Sequence, residues 1–260
     1  MYSFLENNFK FYYRDDPVVS GELSGRHVHN VCVLHFILKG KGQLQLDDAS
    51  YEFNDYDLVF IPDHVYHYFK ANSEYPYQRI NVSFPRNYFD DVDLTALFDA
   101  PKLFNILSYN NFVKIFDLLG SAEKIIENEN DRKAFIISLT KTLLYLLKNT
   151  KFDINVSKTV NELASKTVKY INDHIYEPIT VEGIAKDLFI CKSHLQNCFS
   201  KIMKIGVKEY IIIKKMNLAY SLINEGYSST QAASMLGYTT YSCFYKSYIK
   251  VFGVSPRKSK

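Results

Sequence analysis

Cysteine is scarce in this chain and poorly spaced for bridging: four in 260 residues, at positions 32, 191, 198 and 243, with no C-x-x-C pair. Neither a disulfide framework nor a Cys-type zinc site is supported, and the thiols are expected to be reduced and mostly packed. Long apolar runs are also lacking. No stretch reaches the roughly 20 residues that span a bilayer, and Met1-Tyr2-Ser3-Phe4-Leu5-Glu6 lacks the basic start and apolar run of a secretory leader. A soluble, cytoplasmic protein without a membrane role is expected. Catalytic signatures are missing too, since no Ser/His/Asp set, phosphate loop or paired-carboxylate motif stands in a supporting context. The sequence predicts no enzyme and no cofactor.

Charge is present but unevenly placed. Residues 157–260 carry 15 Lys and Arg against 7 Asp and Glu, a net of +8, whereas residues 1–156 carry 16 against 21, a net of −5. Together they return the modest +3 of the whole chain. A basic segment attracts a polyanion through counterion release, and an acidic one repels it. At about 100 to 200 residues per domain, the length predicts two domains. The polar, aperiodic stretch from Asn149 to Ser157, where the charge balance flips, is the expected linker. The domains are then expected at 1–150 and 159–260, with 151–158 between them.

Between about residues 30 and 84 the period is two, in Val31 to Leu38, Gln43 to Leu46, Leu58 to Ile61 and Tyr77 to Phe84, with turns at Gly40-Lys41-Gly42 and Asp47-Asp48. Such evenly spaced short strands predict a small antiparallel barrel or jelly roll. After residue 102 the period becomes 3.6, with helices predicted near 111–128 and 131–148. The second carries Ile136, Leu139, Leu143, Leu146 and Leu147 on one stripe, a candidate seam for a homodimer. From 159 onward the pattern is helical, with helices predicted around 159–175 and 208–224. Ser228 and Gln231 form a capping-box pair, and Thr180 and Thr240 are further N-cap candidates.

The basic half contains a weak internal repeat. Ile184-Ala185, Leu188, Leu195, Phe199, Lys201 and Gly206-Val207 match Ala232-Ala233, Leu236, Phe244, Tyr248, Lys250 and Gly253-Val254, at offsets of 48, then 49, then 47. Two copies of a helix-turn-helix unit on a basic domain predict a chain that reads two successive sites on double-stranded DNA. In the second helix of the first copy, Leu195, Cys198, Phe199 and Ile202 share one face, which leaves Ser193, Gln196, Asn197 and Ser200 on the other. Gln and Asn amides pair bidentately with the adenine edge in the major groove. In the second copy, with Phe244, Tyr248 and Val251 buried, the matching face holds Tyr241, Ser242, Tyr245, Lys246 and Ile249. The predicted base readers are Ser193, Gln196, Asn197, Tyr241, Ser242, Tyr245 and Lys246. The predicted phosphate contacts are Lys192, Lys201, Lys250, Arg257 and Lys258.

These residues, from Ile184-Ala185 to Gly206-Val207, then Gly237-Tyr238-Thr239-Thr240-Tyr241-Ser242-Cys243-Phe244, then Phe252-Gly253-Val254-Ser255-Pro256, resemble the signature of the AraC/XylS transcription regulators over about residues 165–258. Two positions depart from it: Lys215 stands where the family commonly has Arg, and Thr240 where an acidic residue is common. His27-Val28-His29, Lys39-Gly40-Lys41-Gly42, Asp57 to Pro62 and His67 are similar to the cupin-like sensing domains that precede this region in many members. The resemblance implies a two-domain α+β protein: an N-terminal cupin-like β-barrel or jelly roll with appended helices, and an all-α C-terminal domain with two helix-turn-helix units. It further implies a transcription regulator, commonly an activator, that works with RNA polymerase and whose barrel binds a small effector or mediates dimerisation; aromatic faces with imidazoles suit a sugar, and equally an aromatic ring or a fatty acyl chain.

His27, His29 and His67 also fit the spacing of metal-binding cupins, in which a Glu completes the set. The positions for that Glu are Val33 and Leu34, so no metal is expected. The effector-pocket candidates are His27, His29, Phe36, Phe60, Tyr66, His67 and Tyr68. Two other readings stay open: a ligand-independent regulator whose N-terminal half only assembles dimers, and a metal-dependent cupin enzyme.

Overall fold

The structure, a computed structural model, describes residues 2–6, 8–16, 21–22, 27–47, 49–72, 74–98, 102–151 and 158–257. It divides into two compact units: Met1–Gly25, Val31–Leu44 and Tyr51–Lys158 in one, and Arg26–Asn30, Gln45–Ser50 and Thr159–Lys260 in the other. The strands are β1 (Tyr2–Glu6), β2 (Phe9–Asp16), β3 (Gly21–Glu22), β4 (His27–Val28), β5 (Cys32–Lys39), β6 (Gly42–Leu46), β7 (Ala49–Phe53), β8 (Asp57–Ile61), β9 (Tyr66–Ala71), β10 (Tyr77–Phe84), β11 (Lys102–Asn105) and β12 (Lys158–Val160). Helices α1 (Thr95–Phe98), α2 (Asn110–Ile125) and α3 (Glu129–Asn149) complete the sheet-rich part.

One sheet runs β1-β2-β10-β5-β8-β11, and a second contains β7-β6-β9-β3. Both faces of β5 are buried, because the first sheet is covered on each side. On one side Leu34, Phe36, Leu58, Phe60, Ile80 and Val82 pack with Phe112, Phe116, Ile136, Leu143 and Leu147 of α2 and α3. On the other, His35 stacks on Phe69 of β9 at 4.1 Å between ring centroids.

Two elements differ from the sequence expectation. The β1–β2 hairpin, with Phe4, Phe9 and Phe11 buried, lies before the first strand that periodicity suggested, because exposed Leu5 interrupts the alternation. Residues 102–105, expected to open the helical stretch, instead form β11, paired antiparallel with the edge of β8. Four residues carry too little pattern to reveal a strand whose partner lies more than 40 positions away.

The helical unit contains α4 (Glu162–Asp173), α5 (Val181–Asp187), α6 (Lys192–Met203), α7 (Val207–Glu225), α8 (Ser229–Met235) and α9 (Tyr241–Phe252). Local chemistry starts these helices. Asn161 accepts from the Ala164 N–H, Thr180 from that of Gly183 and Thr240 from that of Cys243, while Ser228 and Gln231 form the full capping box. Each such side chain satisfies one orphan N–H of the first turn. Helices α4 and α5 pack on α6, and α8 and α9 pack on α7. Among the described residues, no helix is long and apolar enough to cross a membrane.

Candidate nucleic-acid interface and effector site

The two helix-turn-helix units are α5–α6 and α8–α9, and their turns are built alike. Phe189 N–H and Ile190 N–H donate to the carbonyls of Lys186 and Ala185, and Gly237 N–H and Tyr238 N–H to those of Ser234 and Ala233. This is a Schellman-type ending, repeated at an offset of 48. From the next helix start the offset is 49, since Cys191 and Thr240 are the two N-caps. Thr239 is the inserted residue. The offset of 47 read from the sequence at the far end is corrected to 49. The left-handed C-caps are Lys204 and Gly253, whereas Gly206 starts α7 with an ordinary negative φ.

Helices α6 and α9 bury Leu195, Phe199 and Met203, and Phe244 and Tyr248, respectively. Cys198, Ile202 and Val251, expected inside, are half-buried. Edge-on contact of Phe199 with Tyr210, at 5.4 Å, anchors α6 to α7. Opposite, Ser193, Gln196, Asn197, Tyr241, Ser242, Tyr245 and Lys246 are all exposed. At the offset of 49, Ser193 corresponds to Ser242, Gln196 to Tyr245 and Asn197 to Lys246. The structure therefore brings two matched polar faces to the surface. Tyr241 ties α9 to α8 through its hydroxyl, 2.9 Å from that of Ser229. Lys201, Lys250 and Arg257 are exposed, Lys192 is exposed and ion-paired with Glu182, and Lys258 lies outside the described residues.

The seven effector-pocket candidates do not form one wall. Phe36 stacks on Phe116 at 3.6 Å, and Phe60 lies 5.8 Å from Phe98, so both face the helices. Tyr66 and Tyr68 are buried together on the face of β9 opposite Phe69. His67 shares the Phe69 face, with its Nδ1 3.0 Å from the Val65 carbonyl oxygen. His29 is half-buried, and the side chain of His27 lies outside the described residues. Among the described residues, no three His, Cys, Asp or Glu side chains gather where they could hold a metal ion.

A polar set that sequence reading missed lies on the inter-sheet face. His35 Nε2 is 2.7 Å from the Tyr77 hydroxyl, and burial together with the Arg79 charge holds the imidazole well below its usual range, hence neutral. Arg79 is buried and paired with Asp16 at 2.8 Å, with its guanidinium over the Tyr77 ring. Asn81 donates to the Tyr12 hydroxyl, while its own buried Oδ1 has no hydrogen-bond partner among the described residues. Strand alternation carried the signal: Tyr77, Arg79 and Asn81 are every second residue of β10, opposite the apolar Ile80, Val82 and Phe84. Nearby, an open cleft of about 530 Å³ is lined by Lys41, Gln43, Glu52, Asn54, Lys70 and Asn72 over the Phe53 ring. None of the seven candidates lines it.

The structure corrects three of the five residues predicted for the dimer seam. Ile136, Leu143 and Leu147 are buried in the core of their own unit, leaving only Leu139 and Leu146 half-buried.

Comparison with known proteins agrees with both units. Residues 20–147 match the AraC-like ligand binding domain, and residues 184–260 match a helix-turn-helix domain. The Msm operon regulatory protein of Streptococcus mutans is 24% identical over 97% of this chain and 93% of its own length. The lactose operon transcription activator of Staphylococcus xylosus is 23% identical over 86% of this chain and 81% of its own. Among solved structures, ToxT of Vibrio cholerae O395 is 13% identical, covering 96% of each chain with a TM-score of 0.40. The chain belongs to the AraC/XylS family of transcription regulators, with an AraC-like ligand-binding domain followed by a DNA-binding helix-turn-helix domain.

Proposed function

We propose that this chain is a sequence-specific transcription activator that reads two successive major-groove sites through α6 and α9. The observation that carries the reading is the register match of two exposed polar faces at a constant offset of 49, on the half of the chain with net +8. Ser193, Gln196 and Asn197 read one site, and Tyr241, Ser242, Tyr245 and Lys246 the other. Lys192, Lys201, Lys250, Arg257 and Lys258 hold phosphates. The protein acts in the cytoplasm, with RNA polymerase as its downstream partner, and has no enzymatic activity. Activation, rather than repression, draws on the likeness to the lactose operon transcription activator of Staphylococcus xylosus.

The domains are 1–150 and 159–260 with a linker at 151–158, the first a cupin-like domain that binds a small effector and assembles a homodimer. Lactose stands in that relative's name, and the inter-sheet set of His35, Tyr77, Arg79 and Asn81 offers hydroxyl-pairing groups, so a sugar is the first effector class to try. A ligand-independent reading has its own support in the rings of His35, Phe53, Phe69 and Tyr77, which pack between the sheets. A thermal-shift and DNA-affinity titration of the full chain with mono- and disaccharides separates the two.

The test of the reading faces uses duplexes selected by the chain from a random-sequence library. Gln196→Ala should lose about 1 to 3 kcal/mol of discrimination at a single base pair, and Lys201→Ala should weaken all sequences alike. Equal losses for both on every duplex would remove Gln196 from base reading.

A further inference from the structure

Helix α7 joins the two helix-turn-helix units, and one buried group on it touches the second unit and the segment that leads into the first. Lys215, 4% exposed, donates from Nζ to the Glu177 carbonyl oxygen at 2.5 Å and to the Leu236 carbonyl oxygen at 2.7 Å. Glu177 lies in the segment between α4 and α5, just before the first unit, and Leu236 closes α8 in the second. The Tyr238 ring lies 5.7 Å from the same nitrogen. Beside it, Gly237 adopts φ +71°, and a Cβ there would sit 2.6 Å from the Glu177 carbonyl carbon and 2.7 Å from the Pro178 nitrogen. Those are backbone atoms with no flexible end to give way, so the turn of the second unit rests directly on the loop before the first.

The joint is not a general property of the motif. The equivalent turn residue of the first unit is Phe189, also left-handed at φ 55°, and it is 95% exposed. The apolar packing of α8 and α9 on α7 is non-directional and tolerates small rotations about the α7 axis. Two hydrogen bonds from one nitrogen, next to a backbone contact that only glycine permits, do not.

We propose that Lys215 and Gly237 form the pitch-setting joint of the DNA-reading domain, holding α6 and α9 at one separation so that the protein discriminates the spacing of its two half-sites as well as their sequence. Lys215 is thus a positioning residue, and this role rests on the reading of α6 and α9 as DNA-reading helices. Adding one base pair between half-sites shifts the second by about 3.4 Å along the duplex and turns it around the axis, which a rigid joint cannot follow.

Exposed cysteines already mark both helices, Cys191 at the start of α6 and Cys243 in the first turn of α9, while Cys32 is buried. The full-length chain carrying Cys198→Ser, spin-labelled at these two thiols, reports their separation by pulsed dipolar spectroscopy. A single narrow distance distribution is expected, widened about twofold by Lys215→Met and by Gly237→Ala and narrowed again by Lys215→Arg, with helical circular dichroism unchanged. Gly237→Ala keeps the test open should Lys215→Met not fold. Distributions equally narrow in the parent and in the variants would overturn the joint.

The second arm uses library-selected duplexes remade with one base pair added or removed between half-sites. The parent should lose on the order of tenfold in affinity, and Lys215→Met no more than about threefold. Equal losses would overturn the spacing role. Failure of the parent to select any duplex would instead overturn the reading of α6 and α9, and with it the role in spacing, while the label distances still decide the joint itself.

Discussion

At the scale of single residues, the helical unit holds two side chains in costly settings. Burial pushes the Lys215 ammonium down to about 8 from an ordinary 10.5, against the opposing pull of Glu177. Between those two values the unfolded chain binds a proton that the native chain has released, so this group adds stability as pH rises and withdraws it as pH falls through 8. From pH 7 to 9.5 the gain should be about 2 kcal/mol, read as a rise in the urea midpoint of the parent relative to Lys215→Met. Parallel curves for the two proteins would show that Lys215 titrates normally. A neutral amine still carries two N–H bonds, one for each carbonyl, so the contact itself survives the titration. Phe189 holds a left-handed backbone that costs a non-glycine residue about 1 kcal/mol, and its ring is in solvent. Phe189→Gly should therefore stabilise the chain by up to about 1 kcal/mol; a lower melting temperature would mean the ring contributes packing that its exposure does not show.

At the scale of elements, short helices depend on their caps. Helix α8 has only seven residues, below the length at which a helix in water holds by itself, and its capping box closes two backbone donors at once. Ser228→Ala should cost about 0.5 to 2 kcal/mol in the urea midpoint of the full chain, and Ser228→Asp should recover most of it. An unchanged midpoint for the alanine variant would put the stability of α8 wholly in Ala232, Ala233 and Leu236. The caps of α5, α8 and α9 were legible because capping is local: the side chain and the N–H it accepts from are three residues apart. Helices α2 and α3 were legible within about three residues at each end for the same kind of reason, an apolar period repeated over four turns or more. Strand β11 was not, because its only support is a partner edge brought near by the fold.

At the scale of the whole molecule, the two compact units have separate cores, and the second unit takes in Arg26–Asn30 and Gln45–Ser50 besides the basic segment Thr159–Lys260. Dimer assembly through α3 has to use what the core of the first unit leaves over, namely Leu139 and Leu146 beside the exposed Tyr145. With the proposed homodimer assembled through α3, Leu146→Glu should leave the full chain monomeric in sedimentation without unfolding it, whereas Leu143→Glu should unfold the sheet-rich unit by placing a charge in its core. A dimer that persists in folded Leu146→Glu would move the interface off this helix.

The sequence by itself determined the charge asymmetry, the tandem repeat, the caps of α5, α8 and α9 and the exposed faces of α6 and α9. All of these follow from spacing along the chain, where a period of 3.6 assigns each side chain to one side of its own helix. Only the tertiary structure decided which layer each side of a strand meets. In Val33-Leu34-His35-Phe36-Ile37 both faces are buried, so the alternation separates His35 from Phe36 but nothing local says that Phe36 faces α2 while His35 meets Phe69 and Tyr77. The same holds for the stripe on α3, of which Ile136, Leu143 and Leu147 became core, and for Lys215, whose two carbonyl partners are 38 and 21 residues away in sequence. Contacts of that range depend on how the elements close on one another, and local periodicity carries no record of it.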